Sequence, residues 1–525
     1  MLLPNYASGQ WKQGAGEGSP IVDPVTGDEL ARISSQGIDQ AAALEYARSV
    51  GAPALQEMSY GRRADLLAKI ADVLSANREE YFRISLLNSG ATKADASFDV
   101  DGGIYTMKFF AKIGRSLADG KMLKEGALVP LSKTNAFVGQ HFLAPSQGAA
   151  VLINAFNFPA WGFCEKAAPA LLSGVPIVVK PASATAWLTQ RMVEDIVKAN
   201  LLPGSAISLV CGSASGLLEN VREGDLISFT GSSETAAKIR SHPNVLRRSV
   251  RLNIEADSIN SAILGPDAGL GTEVFDLLVK EVVREMTLKA GQKCTAIRRV
   301  IVPRQLFNEV GDALSARLSG IKVGNPRNAE VQMGPVVNKA QQASCLEGLT
   351  KLKEECRVVF GSDGQFRPLD ADAQKASFVP PTLLSCDQGL QAKYVHDVEV
   401  FGPAATLVPY NTAPELVAIV RRGLGSLVAS VFSNDPATIQ SVLLGIADLH
   451  GRIMVVDTTV GSQHTGHGNV MPSCLHGGPG RAGGGEELAG LRALLLYHRR
   501  FVVQGPPSSI EALASRCADA SLLYS

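Results

Sequence analysis

The sequence predicts an α/β fold in which buried parallel strands alternate with helices. Two short apolar runs, residues 149–153 and 175–179, have the length and composition of fully buried strands. Between them, the segment Trp161–Ser173 is rich in Ala and Leu and is long enough for a crossover helix, so residues 148–180 make a strand-helix-strand unit. With 525 residues the chain is too long for one ordinary core, and we expect two or three domains.

Segments on both sides of this unit extend the α/β pattern. Apolar residues recur at helical spacing over residues 60–87, which predicts an amphipathic helix. The runs 207–210 and 226–230 predict two more strands as a second unit, and the turn 231–233 closes it.

A further helix and strand frame one cysteine. A helical stripe covers residues 275–286 and ends at Gly291, and the strand-like run 299–303 follows. Cys294 therefore lies in a helix-to-strand connection, a place where rigid flanking elements often hold catalytic groups.

Composition and charge favour a small-molecule substrate. The 50 Lys+Arg and 50 Asp+Glu residues give a formal net charge of zero, which gives no reason to expect nucleic acid or an anionic membrane as a partner. No window holds the roughly 18 apolar residues of a membrane span, and the N-terminus lacks a basic segment followed by an apolar run. We therefore expect a cytoplasmic protein without a membrane segment.

Single residues give weak functional signals. The 8 cysteines are scattered without a Cys-x-x-Cys pair, which disfavours a disulfide framework or a zinc site. His464 and His467 lie close in sequence but among glycines, without a carboxylate beside them, so we expect no metal. Taken alone, Cys294 is typical of a buried structural thiol, Glu255 of a solvated surface acid and Asn157 of a turn.

Six short motifs occur together in one order. They are Ala155-Phe156-Asn157-Phe158-Pro159, Val179-Lys180-Pro181-Ala182-Ser183, Phe229-Thr230-Gly231-Ser232, Glu255, Gly291-Gln292-Lys293-Cys294 and Glu399-Val400-Phe401-Gly402-Pro403. Each motif is weak alone, but the set is specific, and from about residue 20 to about residue 505 the chain resembles the aldehyde dehydrogenase superfamily. The resemblance implies a Rossmann-like cofactor domain, a second α/β catalytic domain and a small β extension for oligomerisation.

The resemblance implies three catalytic residues. Cys294 is the nucleophile that forms a thioester, Asn157 and the main-chain amide of Cys294 stabilise the oxyanion, and Glu255 is the base that activates the hydrolytic water. At pH 7 a free thiol is only about 3% ionised, and half-ionisation needs its pKa to fall by about 1.5 from a value near 8.5. Nearby positive charge or backbone donors are expected to supply this lowering for Cys294.

A nicotinamide cofactor is also implied by the resemblance. Lys180 is expected at the adenosine ribose, Gly231 and Ser232 near the pyrophosphate, and Glu399 with Phe401 at the nicotinamide ribose.

Ser183 indicates which nicotinamide cofactor the chain prefers. Relatives that prefer NAD often carry glutamate at this position, where a carboxylate about 5 Å from a 2′-phosphate is repelled by a few kcal/mol at an effective dielectric near 20. Serine removes that repulsion. We therefore expect NADP rather than NAD, with Lys180 as the cation for the phosphate.

Two features depart from the common family pattern. After Glu255 the usual Leu-Gly-Gly is replaced by Ala256-Asp257-Ser258. The Gly-rich run 474–485 resembles the subgroup of phenylacetate and benzoate degradation that oxidises CoA-linked semialdehydes, which implies a substrate of the 3,4-dehydroadipyl-CoA semialdehyde type. The alternative for this run is a flexible cover without a role in substrate binding.

Two other functions stay open. The first is a CoA-acylating dehydrogenase, which Glu255 disfavours because a base for water favours release of the acid over transfer to free coenzyme A. The second is a non-catalytic protein that retains the fold.

The resemblance also implies domain limits and an assembly. Residues 1–132 and 147–258 form the NAD(P)-binding domain, residues 259–484 the catalytic domain, and residues 133–146 with 485–525 the oligomerisation extension. Relatives pair subunits through this extension, so we expect a homodimer or a dimer of dimers.

Overall fold

The computed structural model describes residues 1–361 and 366–524. Its strands, in chain order, are β1 (Leu2–Leu3), β2 (Asn5–Ala7), β3 (Gln10–Lys12), β4 (Ser19–Val22), β5 (Glu29–Ile33), β6 (Leu123–Pro130), β7 (Val138–Pro145), β8 (Ala150–Ile153), β9 (Ile177–Lys180), β10 (Ile207–Leu209), β11 (Leu226–Thr230), β12 (Arg251–Glu255), β13 (Asn260–Leu264), β14 (Ile297–Pro303), β15 (Arg357–Phe360), β16 (Thr382–Ser385), β17 (Ala404–Tyr410), β18 (Ser426–Phe432), β19 (His450–Val456), β20 (Leu475–Gly477), β21 (Glu486–Leu488), β22 (His498–Gly505) and β23 (Ala518–Asp519).

Helices cover both faces of the sheets that these strands form. In chain order the α-helices are α1 (Gln40–Tyr46), α2 (Ala52–Gln56), α3 (Tyr60–Ala76), α4 (Arg78–Ser89), α5 (Lys93–Gly114), α6 (Trp161–Ser173), α7 (Ala186–Lys198), α8 (Ser215–Asn220), α9 (Ser233–Arg240), α10 (Pro243–Arg247), α11 (Glu273–Thr287), α12 (Phe307–Ser319), α13 (Lys339–Leu352), α14 (Tyr394–Asp397), α15 (Ala413–Arg421), α16 (Pro436–Ile446) and α17 (Pro507–Ala514).

One seven-stranded sheet contains the predicted strand-helix-strand unit. Its order is β12-β11-β8-β9-β10-β2-β3, and the strands from β12 to β10 are parallel. From β8 the chain runs outward through β9 to β10, and β11 then lies on the other side of β8. The carboxyl ends at such a reversal of strand order form the usual ligand crevice of open α/β sheets.

The second predicted unit is wrong in one respect. Strands β10 and β11 both form, but they are not neighbours, because β2 pairs antiparallel with the free edge of β10 and leaves no place there for β11.

A second seven-stranded sheet holds the nucleophile candidate. Its order is β15-β16-β17-β14-β13-β18-β19, with only the β15–β16 pair antiparallel among its described pairings. Cys294 lies between α11 and β14, so the predicted helix-to-strand connection is confirmed. The apolar face of α11 packs on this sheet, and rigid elements therefore flank the connection.

Two helix predictions have different outcomes. The crossover helix is confirmed, because α6 spans Trp161–Ser173. The single helix predicted over residues 60–87 is wrong, because Asn77 interrupts it with φ −100° and ψ 10° and separates α3 from α4. The Asn77 side chain donates a hydrogen bond to the carbonyl of Val73 at 2.9 Å, which competes with continuation of the helix.

A four-stranded sheet has the order β22-β7-β6-β23. β22 pairs antiparallel with β7 along its whole length, from His498 opposite Pro145 to Gly505 opposite Val138. The sheet begins with β6 at Leu123, whereas the predicted oligomerisation extension begins at residue 133. The predicted domain limits stay predictions. Among the described helices, none is long and apolar enough to cross a membrane.

Candidate active site

The turn before Cys294 has an unusual backbone. Lys289, Ala290 and Gly291 all have positive φ angles, of 54°, 51° and 67°. Left-handed backbone costs an L-residue about 1–2 kcal/mol, so surrounding contacts have to hold this turn. A Cβ on Gly291 would lie 2.2 Å from the carbonyl oxygen of Gly402, which explains why only glycine fits at the end of the turn.

Two buried side chains supply those contacts. The Asn260 amide donates to the carbonyl oxygens of Cys294 at 2.8 Å and of Ala296 at 3.0 Å. The Arg298 guanidinium donates to the carbonyls of Gly291 at 3.0 Å and of Lys293 at 3.1 Å. The main-chain N–H of Cys294 has no acceptor among the described residues and is free to donate to a substrate oxygen.

One cavity of about 490 Å³ brings the three predicted catalytic residues together. Asn157 follows the carboxyl end of β8, Glu255 ends β12, and Cys294 comes from the second sheet. The cavity is lined by Phe98, Ala155, Asn157, Phe158, Trp161, Gly162, Glu165, Lys166, Thr230, Glu255, Cys294, Thr295, Gly468, Val470 and His476.

The base candidate Glu255 is held by a buried ion pair. Its Oε2 lies 3.0 Å from Nε2 of His476 on β20. Burial has the largest single effect and would raise the pKa of Glu255, but the charge and hydrogen bond of His476, together with the charge of Lys166, lower it. Burial alone would lower the pKa of His476, and Glu255 instead raises it to about 9. At neutral pH the pair is therefore a carboxylate and an imidazolium.

The expected lowering of the Cys294 pKa is wrong for this arrangement. Burial and the adjacent negative charge of Glu255 raise the pKa of the Cys294 thiol well above its usual value. The Cys294 sulfur and a Glu255 carboxylate oxygen lie within 4.8 Å of each other, and Glu255 Oε1 has no hydrogen-bond partner among the described residues. Glu255 is therefore placed to accept a proton from the sulfur.

A buried group of charges lies behind Glu255. Lys166 Nζ contacts Glu165 Oε1 at 2.7 Å and Glu487 Oε2 at 3.0 Å. Burial raises the pKa of Glu165 to about 7, although Lys166 opposes this rise. The sequence analysis did not identify these residues. Their only signal in the sequence is that Glu165 and Lys166 are charged residues within an apolar helix and that Glu487 follows the Gly-rich run.

Strand β20 in the Gly-rich run pairs antiparallel with β21, which follows the run, and His476 lies opposite Glu487. Gly485 donates its N–H to the carbonyl of Ile254 at 2.9 Å, and a Cβ at this position would lie 2.4 Å from that oxygen. Glycine therefore lets the run approach β12 directly. This contact places His476 beside Glu255, and the role of the run in substrate binding stays a prediction.

The residues that depart from the family pattern have defined contacts. Asp257 accepts hydrogen bonds from the N–H of Ser233 at 3.0 Å and from its hydroxyl at 2.5 Å. The Ser258 hydroxyl donates at 2.7 Å to Asn260, the residue that also holds the carbonyl of Cys294. Ser258 therefore connects the strand that ends at Glu255 with the turn that carries Cys294, through Asn260.

A separate crevice of about 1310 Å³ contains two of the expected cofactor residues, Lys180 and Ser183. The side-chain ammonium group of Lys180 forms no hydrogen bond or ion pair within residues 1–361 and 366–524. Burial lowers the pKa of its ammonium group. Ser213 and Ser215 line the same crevice, so a cation and several hydroxyl groups face one open space suited to an anionic group.

The other expected cofactor residues lie on two further segments. Gly231 donates its N–H to the carbonyl of Glu255 at 3.2 Å, and Ser232 caps the N-terminus of α9 by accepting from the N–H of Thr235. Glu399 accepts from the N–H of Ser258 at 3.0 Å, and burial raises its pKa to about 7.

Phe401 lies beside the nucleophile turn. Its ring centroid is 5.6 Å from the guanidinium of Arg298 and 5.7 Å from the ring of Phe156. Arg298 also approaches Glu399 to 3.6 Å, so it links both residues with the turn that carries Cys294.

Comparison with known proteins decides the family. The sequence profile of the aldehyde dehydrogenase family matches residues 11–488. The chain belongs to the aldehyde dehydrogenase family. The predicted family and the α/β fold with its Rossmann-like sheet are thus confirmed.

Relatives of this aldehyde dehydrogenase include proteins with named substrates. It is 63% identical to a 3,4-dehydroadipyl-CoA semialdehyde dehydrogenase of Aromatoleum evansii, over 91% of this chain and 93% of that protein. It is 25% identical to an alpha-ketoglutaric semialdehyde dehydrogenase of Bacillus subtilis, over 82% and 85% of the two chains. A crystal structure of betaine aldehyde dehydrogenase from Staphylococcus aureus in complex with NAD+ has a TM-score of 0.83, 25% identity and 96% and 94% coverage.

Replacement of His476 tests its control of Glu255 in this aldehyde dehydrogenase. In His476→Phe, Glu255 loses its cation while it stays buried, so its pKa rises by about 1–3. As the pH falls, activity that needs the carboxylate is therefore lost at a higher pH in the variant than in the wild type. Because the pKa of Glu255 in the wild type is about 2, we expect a kcat profile measured from about pH 3 to about pH 9 to show an acid limb at about pH 3–5 in the variant and none in the wild type.

The matched control is His141→Phe, which changes an exposed histidine on β7 outside the cavity. Its profile should overlay that of the wild type. Identical profiles in His476→Phe and the wild type would show that His476 does not set the charge of Glu255.

Proposed function

We propose that this aldehyde dehydrogenase oxidises a CoA-linked semialdehyde, such as 3,4-dehydroadipyl-CoA semialdehyde, to the carboxylic acid with NADP. The observation that supports the reaction type is the placement of Cys294, Glu255 and Asn157 around one cavity. Nucleophile, base and oxyanion donor are the groups that thioester chemistry needs.

The first chemical step forms a bond between Cys294 and the aldehyde carbon. Glu255 accepts the thiol proton as the sulfur attacks, and the negative charge moves to the aldehyde oxygen. The Asn157 amide and the free N–H of Cys294 donate to that oxygen, and loss of one such donor typically costs about 3 kcal/mol. When bound, the nicotinamide cofactor supplies a hydride acceptor.

The second chemical step hydrolyses the thioester on Cys294. Glu255 first releases the thiol proton to solvent and then takes a proton from water, the water oxygen bonds to the acyl carbon, and the carbon–sulfur bond breaks. The sulfur regains its proton and the acid leaves. His476 keeps Glu255 ionised for this step, because the imidazolium lies 3.0 Å from the carboxylate.

Two observations support a CoA-linked, unsaturated acyl chain as substrate. The relative with 63% identity is named for 3,4-dehydroadipyl-CoA semialdehyde. In the cavity, the rings of Phe98, Phe158 and Trp161 contact each other with centroids 5.4–5.9 Å apart. A wall of aromatic rings fits an apolar carbon chain whose charged end stays outside.

A comparison of two substrates tests this proposal. A CoA-linked semialdehyde should give NADPH with a higher kcat/KM than a simple aliphatic aldehyde of the same chain length, and the product should be the acid. Cys294→Ala should give no NADPH with either compound.

Equal kcat/KM for both aldehydes would contradict the substrate. Acyl transfer to added coenzyme A would favour the acylating alternative, whereas no NADPH from any aldehyde would favour a non-catalytic protein.

The proposed preference for NADP rests on the crevice around Lys180 and Ser183. The ammonium group of Lys180 has no partner among the described residues, and no carboxylate lines the crevice. A 2′-phosphate at this place would meet a cation and hydroxyl groups without a repelling charge. Glu399 and Phe401 would hold the nicotinamide end, and Gly231 and Ser232 the pyrophosphate.

The substitution Ser183→Glu tests the cofactor preference. A carboxylate here should repel the 2′-phosphate and lower the ratio of kcat/KM for NADP over NAD by about 10- to 100-fold, as expected for a partly solvated charge pair. In the control Ser183→Gln the new side chain has the size of glutamate but no charge, so the ratio of kcat/KM for NADP over NAD should stay at the wild-type value. An unchanged ratio in Ser183→Glu would refute the charge argument.

The proposal includes a homodimer formed through the four-stranded sheet. Phe137, Phe501 and Val502 are exposed on or beside its strands, although apolar side chains of this size usually find a partner surface. A mass twice that of the chain in sedimentation equilibrium would agree with this assembly, and a monomer would exclude it.

A further inference from the structure

The active-site cavity contains a set of side chains with the chemistry of a metal site. Ligand atoms of Glu255, Cys294 and His476 all lie within 4.8 Å of one another. They come from three distant segments, which is why the spacing of cysteines and histidines in the sequence predicts no metal. We propose that these three residues bind one zinc ion, which inhibits the enzyme.

The donor set fits zinc better than a hard cation. Thiolate, imidazole and carboxylate are its common protein ligands, with bond lengths of about 2.0–2.3 Å. In a tetrahedral site these lengths put ligand atoms about 3.3–3.6 Å from each other. His476 Nε2 and Glu255 Oε2 are 3.0 Å apart, so modest side-chain movements complete the geometry. The fourth position would face the cavity and take water.

The charges around the site also favour a divalent cation. Three carboxylates, Glu165, Glu255 and Glu487, have ligand oxygens within 4.8 Å of one another. Lys166 contacts Glu165 and Glu487 at 2.7 and 3.0 Å and thereby neutralises that part of the group. Glu255 stays available to a cation on the side of Cys294 and His476. Zinc would then replace the protonated imidazole of His476 as the positive partner of Glu255.

Binding is an exchange of protons for the metal. The Cys294 thiol and the His476 imidazolium each release one proton to solvent, and no group is oxidised or reduced. A sulfur bound to zinc has its lone pair engaged and cannot attack an aldehyde. Coordinated Glu255 likewise cannot accept a proton from water. One ion therefore blocks both chemical steps.

Metal binding is measured on the full chain without aldehyde or cofactor, so its result does not depend on the proposed substrate. Protein stripped with EDTA is titrated with zinc by calorimetry, and with cobalt(II) while the thiolate-to-cobalt absorption is recorded. We expect one equivalent of each metal to bind, the cobalt absorption to appear, and zinc to abolish NADPH formation until EDTA is added.

Three variants locate the site. Cys294→Ser should remove the thiolate absorption, and His476→Gln should weaken zinc binding by about 100-fold or more, since loss of even an outer partner costs 10- to 100-fold. Circular dichroism checks that both variants fold, and if His476→Gln does not fold, Cys294→Ser alone carries the test. Cys474→Ser removes the exposed cysteine closest to His476 in sequence and should bind zinc as the wild type does.

The absence of any zinc or cobalt binding would overturn the proposal. Wild-type affinity in both Cys294→Ser and His476→Gln, or loss of binding in Cys474→Ser, would overturn it as well, because the ion would then lie elsewhere.

Discussion

The buried negative charge of Glu255 is the constraint on which the rest of the active site depends. Burial disfavours this charge, and His476 at 3.0 Å stabilises it. The same charge raises the pKa of Cys294, so the nucleophile stays protonated until Glu255 takes its proton. Ligand atoms of Glu255, Cys294 and His476 lie within 4.8 Å of one another. Lys166 pairs with Glu165 and Glu487, and its charge, like that of His476, favours the ionised form of Glu255.

The two large parallel sheets bring these groups together. Glu255 ends a strand of the first sheet, and Cys294 precedes a strand of the second. Asn260 connects them, because its amide holds the carbonyl of Cys294 while its oxygen accepts from Ser258, three residues after Glu255. The strained turn at Lys289 and Ala290 persists because buried hydrogen bonds hold its neighbours. The position of the sulfur thus follows from backbone contacts rather than from its own packing.

The sequence could predict what depends on local pattern. The crossover helix α6, the strands around it and the loop position of Cys294 all follow from apolar runs and their length. The contact between His476 and Glu255 joins segments more than 200 residues apart, and no periodicity encodes it. For the same reason the direction predicted for the pKa of Cys294 is wrong, because a motif identifies the residue but not the charge beside it.

In the proposed reaction Cys294 carries the acyl group and Glu255 releases it through water. The most direct measurement is the intact mass of Glu255→Gln after rapid mixing with the semialdehyde and NADP, followed by an acid quench. We predict an added acyl mass on Cys294 that forms more slowly than in the wild type, because Glu255 no longer accepts the thiol proton, and that decays about 100-fold or more slowly, because the general base for water is lost. No acyl mass on Cys294 at any quench time, or decay at the wild-type rate, would contradict these roles of Cys294 and Glu255.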